Sequence, residues 1–131
     1  MRSSPQIPGE FEQIVLLAIM RLEDNAYGVT IRKEIRECTG RNAAPGALYN
    51  TLDRLEEKGM VRSHLGDPSP QRGGRAKRLF SVTPRGIEAV VHAQRGYQKL
   101  LRSLSAALAH FPCSLEKGDL QMPDGWAMET V

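Results

Sequence analysis

Cysteine, aromatic residues and long apolar runs are all scarce in this sequence. Two cysteines in 131 residues, Cys38 and Cys113, make no disulfide framework. Aromatic side chains form 5% of the chain, and its single tryptophan, Trp126, offers no stacking pocket. The longest apolar run, Ile14 to Met20, falls far short of the roughly 18 residues that would span a membrane. The first ten residues place no apolar stretch behind Arg2, so no secretory signal is expected. Glycine and proline, at 12 and 8, are too few and too scattered for a collagen or a linker protein.

Catalytic and metal signatures are missing as well. There is no glycine-rich phosphate loop, no Ser/His/Asp set and no His-Glu metal motif. Glu56 and Glu57 are adjacent, so on a helix they point about 100° apart and cannot flank one substrate. His110 and Cys113 stand three apart, but a closed zinc site takes four ligands with paired short spacings. Cys38, His64 and His92 do not complete one. No enzyme, metal or cofactor is expected.

What is present supports a packed domain: 40% of residues are hydrophobic and 25% charged. The net charge is only +3, yet it is unevenly placed. Residues 62–85 carry Arg62, Arg72, Arg75, Lys77, Arg78 and Arg85 against Asp67 alone, a net of +5. The segments on either side are each at −1. A block of this kind is either a contact for a polyanion or a solvated loop.

The periodicity is helical first. Phe11, Ile14, Val15, Leu17, Ala18, Ile19, Met20 and Leu22 predict a helix from Glu10 with more than one buried face. Glu23-Asp24-Asn25 reads as a turn. A second helix is expected over about Ala26–Thr39, with Tyr27, Ile31, Ile35 and Cys38 on its apolar stripe and Gly40 as its stop. There Cys38 would be a core thiol. A third follows from Pro45, a residue suited to a first helical turn, to about Lys58. Its inner face is Leu48, Leu52 and Leu55; Tyr49, Asn50, Asp53 and Arg54 look outward. The period then falls to two. Met60–Leu65 and Arg75–Val82 read as strands of a β-hairpin, with Phe80 and Val82 facing inward and Gly66–Gly74 as its long tip. Thr83 caps a last helix, Pro84 opens it, and it can run to about Ala109.

Three helices and a basic hairpin, in that order, make a winged helix-turn-helix. The expected fold is mainly α with a small β-hairpin and a long C-terminal dimerisation helix. We expect a winged-helix domain over 9–82, the dimerisation helix over 83–111 and a tail over 112–131. A third helix entered by a turn can lie in a major groove. A hairpin tipped with bases reaches neighbouring phosphates, and Gly73-Gly74 lets the backbone come close to one. Double-stranded DNA is therefore the expected partner. Its candidate contacts are Pro45, Gly46, Tyr49, Asn50 and Arg54 on the third helix. Arg72, Gly73, Gly74, Arg75 and Lys77 are those on the wing. The competing readings are a winged helix that binds only protein, and a sensor of an effector or of redox state.

Four stretches resemble the PadR family of bacterial transcriptional regulators: Leu16–Met20, Ala26–Ile31, Gly46–Val61 and Gly73–Gly86. The leucine-tyrosine pair Leu48-Tyr49 together with the Gly-Gly-Arg wing is what makes the resemblance specific. It covers about residues 11–109. It implies a dimeric repressor in the bacterial cytoplasm, on the nucleoid when bound to DNA, often released by a small-molecule effector. Two positions depart from the family pattern. Ala47 stands where Ser or Thr is frequent, and Asn50 where Pro is. Asn50 can read a base edge, adenine being its best partner.

The last helix carries a heptad pattern. Ile87, Gln94, Leu101 and Leu108 recur every seven residues. Val90, Tyr97, Leu104 and Phe111 interleave at spacings of three and four. This predicts a homodimer seam of Ile87, Val90, Gln94, Tyr97, Leu101, Leu104 and Leu108. The alternative is packing against the chain's own first helix.

Overall fold

A computed structural model of the protein describes residues 7–66 and 77–104. Helix α1 spans Glu10–Leu22 and is followed by one 3-10 turn, Glu23–Asn25. Helices α2 and α3 span Gly28–Thr39 and Pro45–Glu57. Strands β1 (Val61–Leu65) and β2 (Arg78–Val82) pair antiparallel, with Val61 opposite Val82 and Leu65 opposite Arg78. Helix α4 spans Pro84–Ser103. The order is the one expected of a winged helix-turn-helix.

The core explains the order. Val15, Leu16, Ala18 and Ile19 of α1 meet Ile31 and Ile35 of α2 and Leu48, Leu52 and Leu55 of α3. The hairpin closes this cluster with Val61 and Phe80, which the two-residue strand period sends to one face. Phe11, Ile14, Leu17 and Leu22 are partly buried against the same cluster, so α1 is apolar on several sides as its sequence predicts.

Two local starts follow from hydrogen bonds. Thr83 caps α4: the Gly86 N–H donates to Thr83 Oγ1 at 3.1 Å. Helix α2 begins two residues later than expected. The carbonyl of Ala26 accepts the Phe80 N–H at 2.8 Å, so this residue serves the sheet edge and not the helix. Tyr27 is extended instead, and its N–H donates to Thr30 Oγ1 at 3.0 Å.

Two sequence expectations are corrected. Cys38 is exposed and not part of the core; Ile31 and Ile35 already fill that stripe. Its Sγ lies 3.4 Å from Glu34 Oε2. Partial desolvation, and then that carboxylate, hold its thiol above the ordinary range, away from the thiolate that redox sensing needs. Val90 is 1% exposed and belongs to the chain's own core, so it cannot line a seam with another molecule. The first compact unit accordingly runs to Ala93 and takes in the start of α4. The second unit begins at Gln94. Among its described residues Tyr97, Leu100, Leu101 and Leu104 are each at least half exposed. No described helix is long and apolar enough to cross a membrane.

Candidate nucleic-acid interface

The N-terminal face of α3 is built to stay open. Pro45 occupies its first turn, and Ala44 before it supplies no side-chain cap. The first N–H groups are therefore left for something outside the helix. Pro45, Gly46, Tyr49 and Asn50 are all exposed. A Cβ on Gly46 would meet nothing within 4 Å, so packing does not require glycine there. The turn before α3 is held from below, where Arg32 Nε donates to the Ala43 carbonyl at 2.9 Å.

Tyr49 is 42% exposed and crosses the first turn of α2. A Cβ on Gly28 would lie 2.0 Å from its hydroxyl oxygen. Gly28 thus lets the tyrosine ring lie across the helix-turn-helix, with its hydroxyl at the start of α2.

The bases expected to meet DNA are placed less simply. Arg54 is not a free surface base. Its Nε donates to Glu12 Oε2 at 3.3 Å and its Nη2 to Thr51 Oγ1 at 3.3 Å. The reason is a buried carboxylate 42 residues upstream. Lys77 lies with its Nζ 4.2 Å from the centroid of the Tyr27 ring. Arg72, Gly73, Gly74 and Arg75 lie outside the described residues, as does Leu108. Among the described residues no group of three or more His, Cys, Asp and Glu is arranged to hold a metal ion.

Glu12 is the residue that sequence reasoning missed. It is 6% exposed, with Lys58 Nζ 2.9 and 3.0 Å from its two oxygens. The Gly9 N–H donates to Oε1 at 3.0 Å. Lys58 directly follows α3, so this carboxylate ties the end of α3 to the start of α1. The signal was an acid set among Phe11, Ile14, Val15 and Leu16, on a helix with few solvent-facing positions. Burial pushes its carboxyl upward, but the bonds from Lys58, Gly9 and Arg54 outweigh burial and hold it below the ordinary value.

That direction fixes a pH dependence. A carboxylate lowered in the folded state stabilises the fold fully above its unfolded pKa of about 4.3, and that stability is lost as pH falls through the folded value. Glu12→Gln is expected to cost about 1–3 kcal/mol at pH 7, because it takes the charged acceptor from Lys58 and Arg54. The gap to the parent should narrow in acid. Urea unfolding at pH 7 and pH 3.5 measures both gaps, and equal gaps would refute the linkage.

Comparison with known proteins gives the family and the fold. The model of the transcriptional regulator PadR-like family matches residues 16–91, from the core of α1 into α4. The transcriptional regulator Rv3488 of Mycobacterium tuberculosis is 31% identical over 90 residues, 67% of this chain and 78% of that protein. A PadR family transcription regulator from Clostridium difficile superposes with a TM-score of 0.60 at 21% identity, over 75% of this chain and 98% of that one. A Streptococcus transcriptional regulator superposes with a TM-score of 0.59 at 25% identity, over 74% and 90%.

Proposed function

The chain belongs to the PadR-like family of transcriptional regulators, and from that premise we propose that it is a repressor that binds an inverted-repeat operator as a homodimer. The observation that carries the reading is the open N-terminal face of α3. Pro45, Gly46 and Asn50 are exposed side by side, beside helical N–H groups that no side chain caps. Such a face attracts phosphate at its end and offers Asn50 to a base edge one turn in. In this reading Tyr49 reaches the backbone with its hydroxyl. Arg72, Gly73, Gly74 and Arg75, and Lys77 from its place over Tyr27, bring the wing to the flanking phosphates.

Two protomers joined through α4 would set their α3 helices in successive major grooves, about 34 Å apart along the duplex. The exposed Ile87, Tyr97, Leu101 and Leu104 support that pairing. Gln94, the one polar position of the stripe, would set its register.

Selection from random duplex DNA, followed by affinity measurements across a salt series, tests the reading. The expected outcome is an inverted repeat bound with a steep loss of affinity as salt rises. Asn50→Ala should relax preference at one base position of each half-site, at a cost of about 1–3 kcal/mol. An unchanged selected motif would return Asn50 to the solvated surface. A parent protein that enriches no sequence, and whose weak binding ignores salt, would favour a winged helix that binds only protein.

A further inference from the structure

Helix α3 carries two acids, Asp53 and Glu56, on the side toward the hairpin, where they engage Arg78. On a helix that approaches a polyanion, free carboxylates repel the ligand. These two are not free. Arg78, the first residue of β2, places Nη2 2.8 Å from Glu56 Oε1 and 3.8 Å from Asp53 Oδ1. Its guanidinium also lies over Phe80, 5.0 Å from the ring centroid. The other oxygen of Glu56 accepts the Ser63 hydroxyl of β1 at 2.8 Å. One carboxylate of α3 therefore grips both strands of the wing, one with each oxygen. Lys77, adjacent to Arg78 in the chain, goes instead to Tyr27 beside α2.

We propose that Arg78 is a positioning residue: held by Glu56 and Asp53, it fixes the wing against α3 and makes no phosphate contact of its own. The inference rests on the DNA-binding reading above and deepens it. The clamp then determines how β1 and β2 sit against α3. Two half-exposed groups bind each other weakly in water. The clamp draws its strength from the shared carboxylate, which orders two strands and a helix at once.

The sign of one substitution separates the clamp from simple electrostatics. Glu56→Gln removes an acid beside DNA, and charge alone would tighten binding. The clamp predicts that operator affinity falls, by up to about fivefold, the upper end for a lost half-exposed ion pair. Glu57→Gln, an exposed acid one residue on, serves as the control and should leave affinity unchanged or slightly higher. Arg78→Gln should weaken binding to a similar degree without changing the slope of affinity against salt. Arg78→Lys keeps one bond to Glu56 and should recover most of the loss. In the free protein, amide exchange at Leu79–Ser81 should quicken in Glu56→Gln and not in Glu57→Gln. The proposal fails if Glu56→Gln binds as tightly as the parent or more tightly. It fails equally if Arg78→Gln lowers the salt slope by about one, the mark of a phosphate contact, or if strand exchange is the same in both glutamine variants. A parent that does not bind DNA would overturn the DNA-binding reading instead, and strand exchange would still decide the clamp.

Discussion

Gly86→Ala is expected to destabilise the winged-helix unit by about 1–3 kcal/mol, although the change places a better helix former inside a helix. A Cβ at this position would lie 2.3 Å from the Met60 carbonyl oxygen and 2.7 Å from Val82 Cγ1. The carbonyl has little room to retreat. It accepts the Thr83 N–H at 3.0 Å, while the Met60 N–H is held by the Leu55 carbonyl at 2.9 Å. Thr83 Oγ1 adds a bond to the Gly59 carbonyl at 2.6 Å. The start of α4 is thus pressed against the turn between α3 and β1, and only a residue without a side chain lets it approach that far. Gly96 supplies the contrast. It lies in the same helix, exposed, with nothing within 4 Å of its would-be Cβ. Gly96→Ala should stabilise the helix by about 0.5–1 kcal/mol through propensity alone. Thermal unfolding compares the two directly. A loss of 1 kcal/mol lowers the midpoint by about 4–8 °C in a domain of this size. A midpoint for Gly86→Ala that is unchanged or raised would show that Gly86 is not a close-approach site.

The elements that could be read from sequence are those whose causes are local. The 3-4 spacing of Leu48, Leu52 and Leu55, the prolines at 45 and 84 and the cap at Thr83 fixed three helix ends to within a residue. The alternation after Gly59 gave the hairpin and the inward place of Phe80. What escaped was set by partners distant in the chain. The start of α2 moved because β2 takes the Ala26 carbonyl. Arg54 looked like a surface base because nothing nearby in sequence announces Glu12, and Arg78 looked like one more wing charge because Glu56 is 22 residues away. Both are cases in which a charge that seemed free for DNA is already held. The net +5 of residues 62–85 therefore overstates what the wing can offer a phosphate. The open face of α3 was legible for the complementary reason: its exposure follows from helix geometry and from the absence of a cap.

In the homodimer proposed above, replacing Leu101 and Leu104 together with aspartate is expected to separate the protomers and lower operator affinity by about 10²–10⁴-fold, the contribution of a second linked half-site. Once Val90 is assigned to the core, the apolar stripe of α4 reduces to Ile87, Tyr97, Leu101 and Leu104 among the described residues. Leu101 and Leu104 are 50% and 51% exposed, and Leu100 beside them is 67% exposed. Fully burying each such side chain is worth about 1.5–3 kcal/mol, so a lone chain leaves much of that unrealised. Tyr97, Leu101 and Leu104, spaced four and three apart, form an exposed apolar patch on one helix face, the kind of surface a second copy covers. Aspartate at both positions would place two charges in that contact, and dissociation is the cheaper outcome. The fold of the DNA-binding unit should survive, because its core of Leu16, Leu52 and Phe80 lies in the unit that ends at Ala93. Sedimentation should then report half the parent mass with an unchanged helical circular dichroism signal. The monomer should still bind a single half-site, weakly and with about half the salt slope, because each protomer keeps its own phosphate contacts. If the double variant stays dimeric, the stripe does not make the dimer. If it is monomeric and still binds the operator as tightly as the parent, pairing does not provide the affinity.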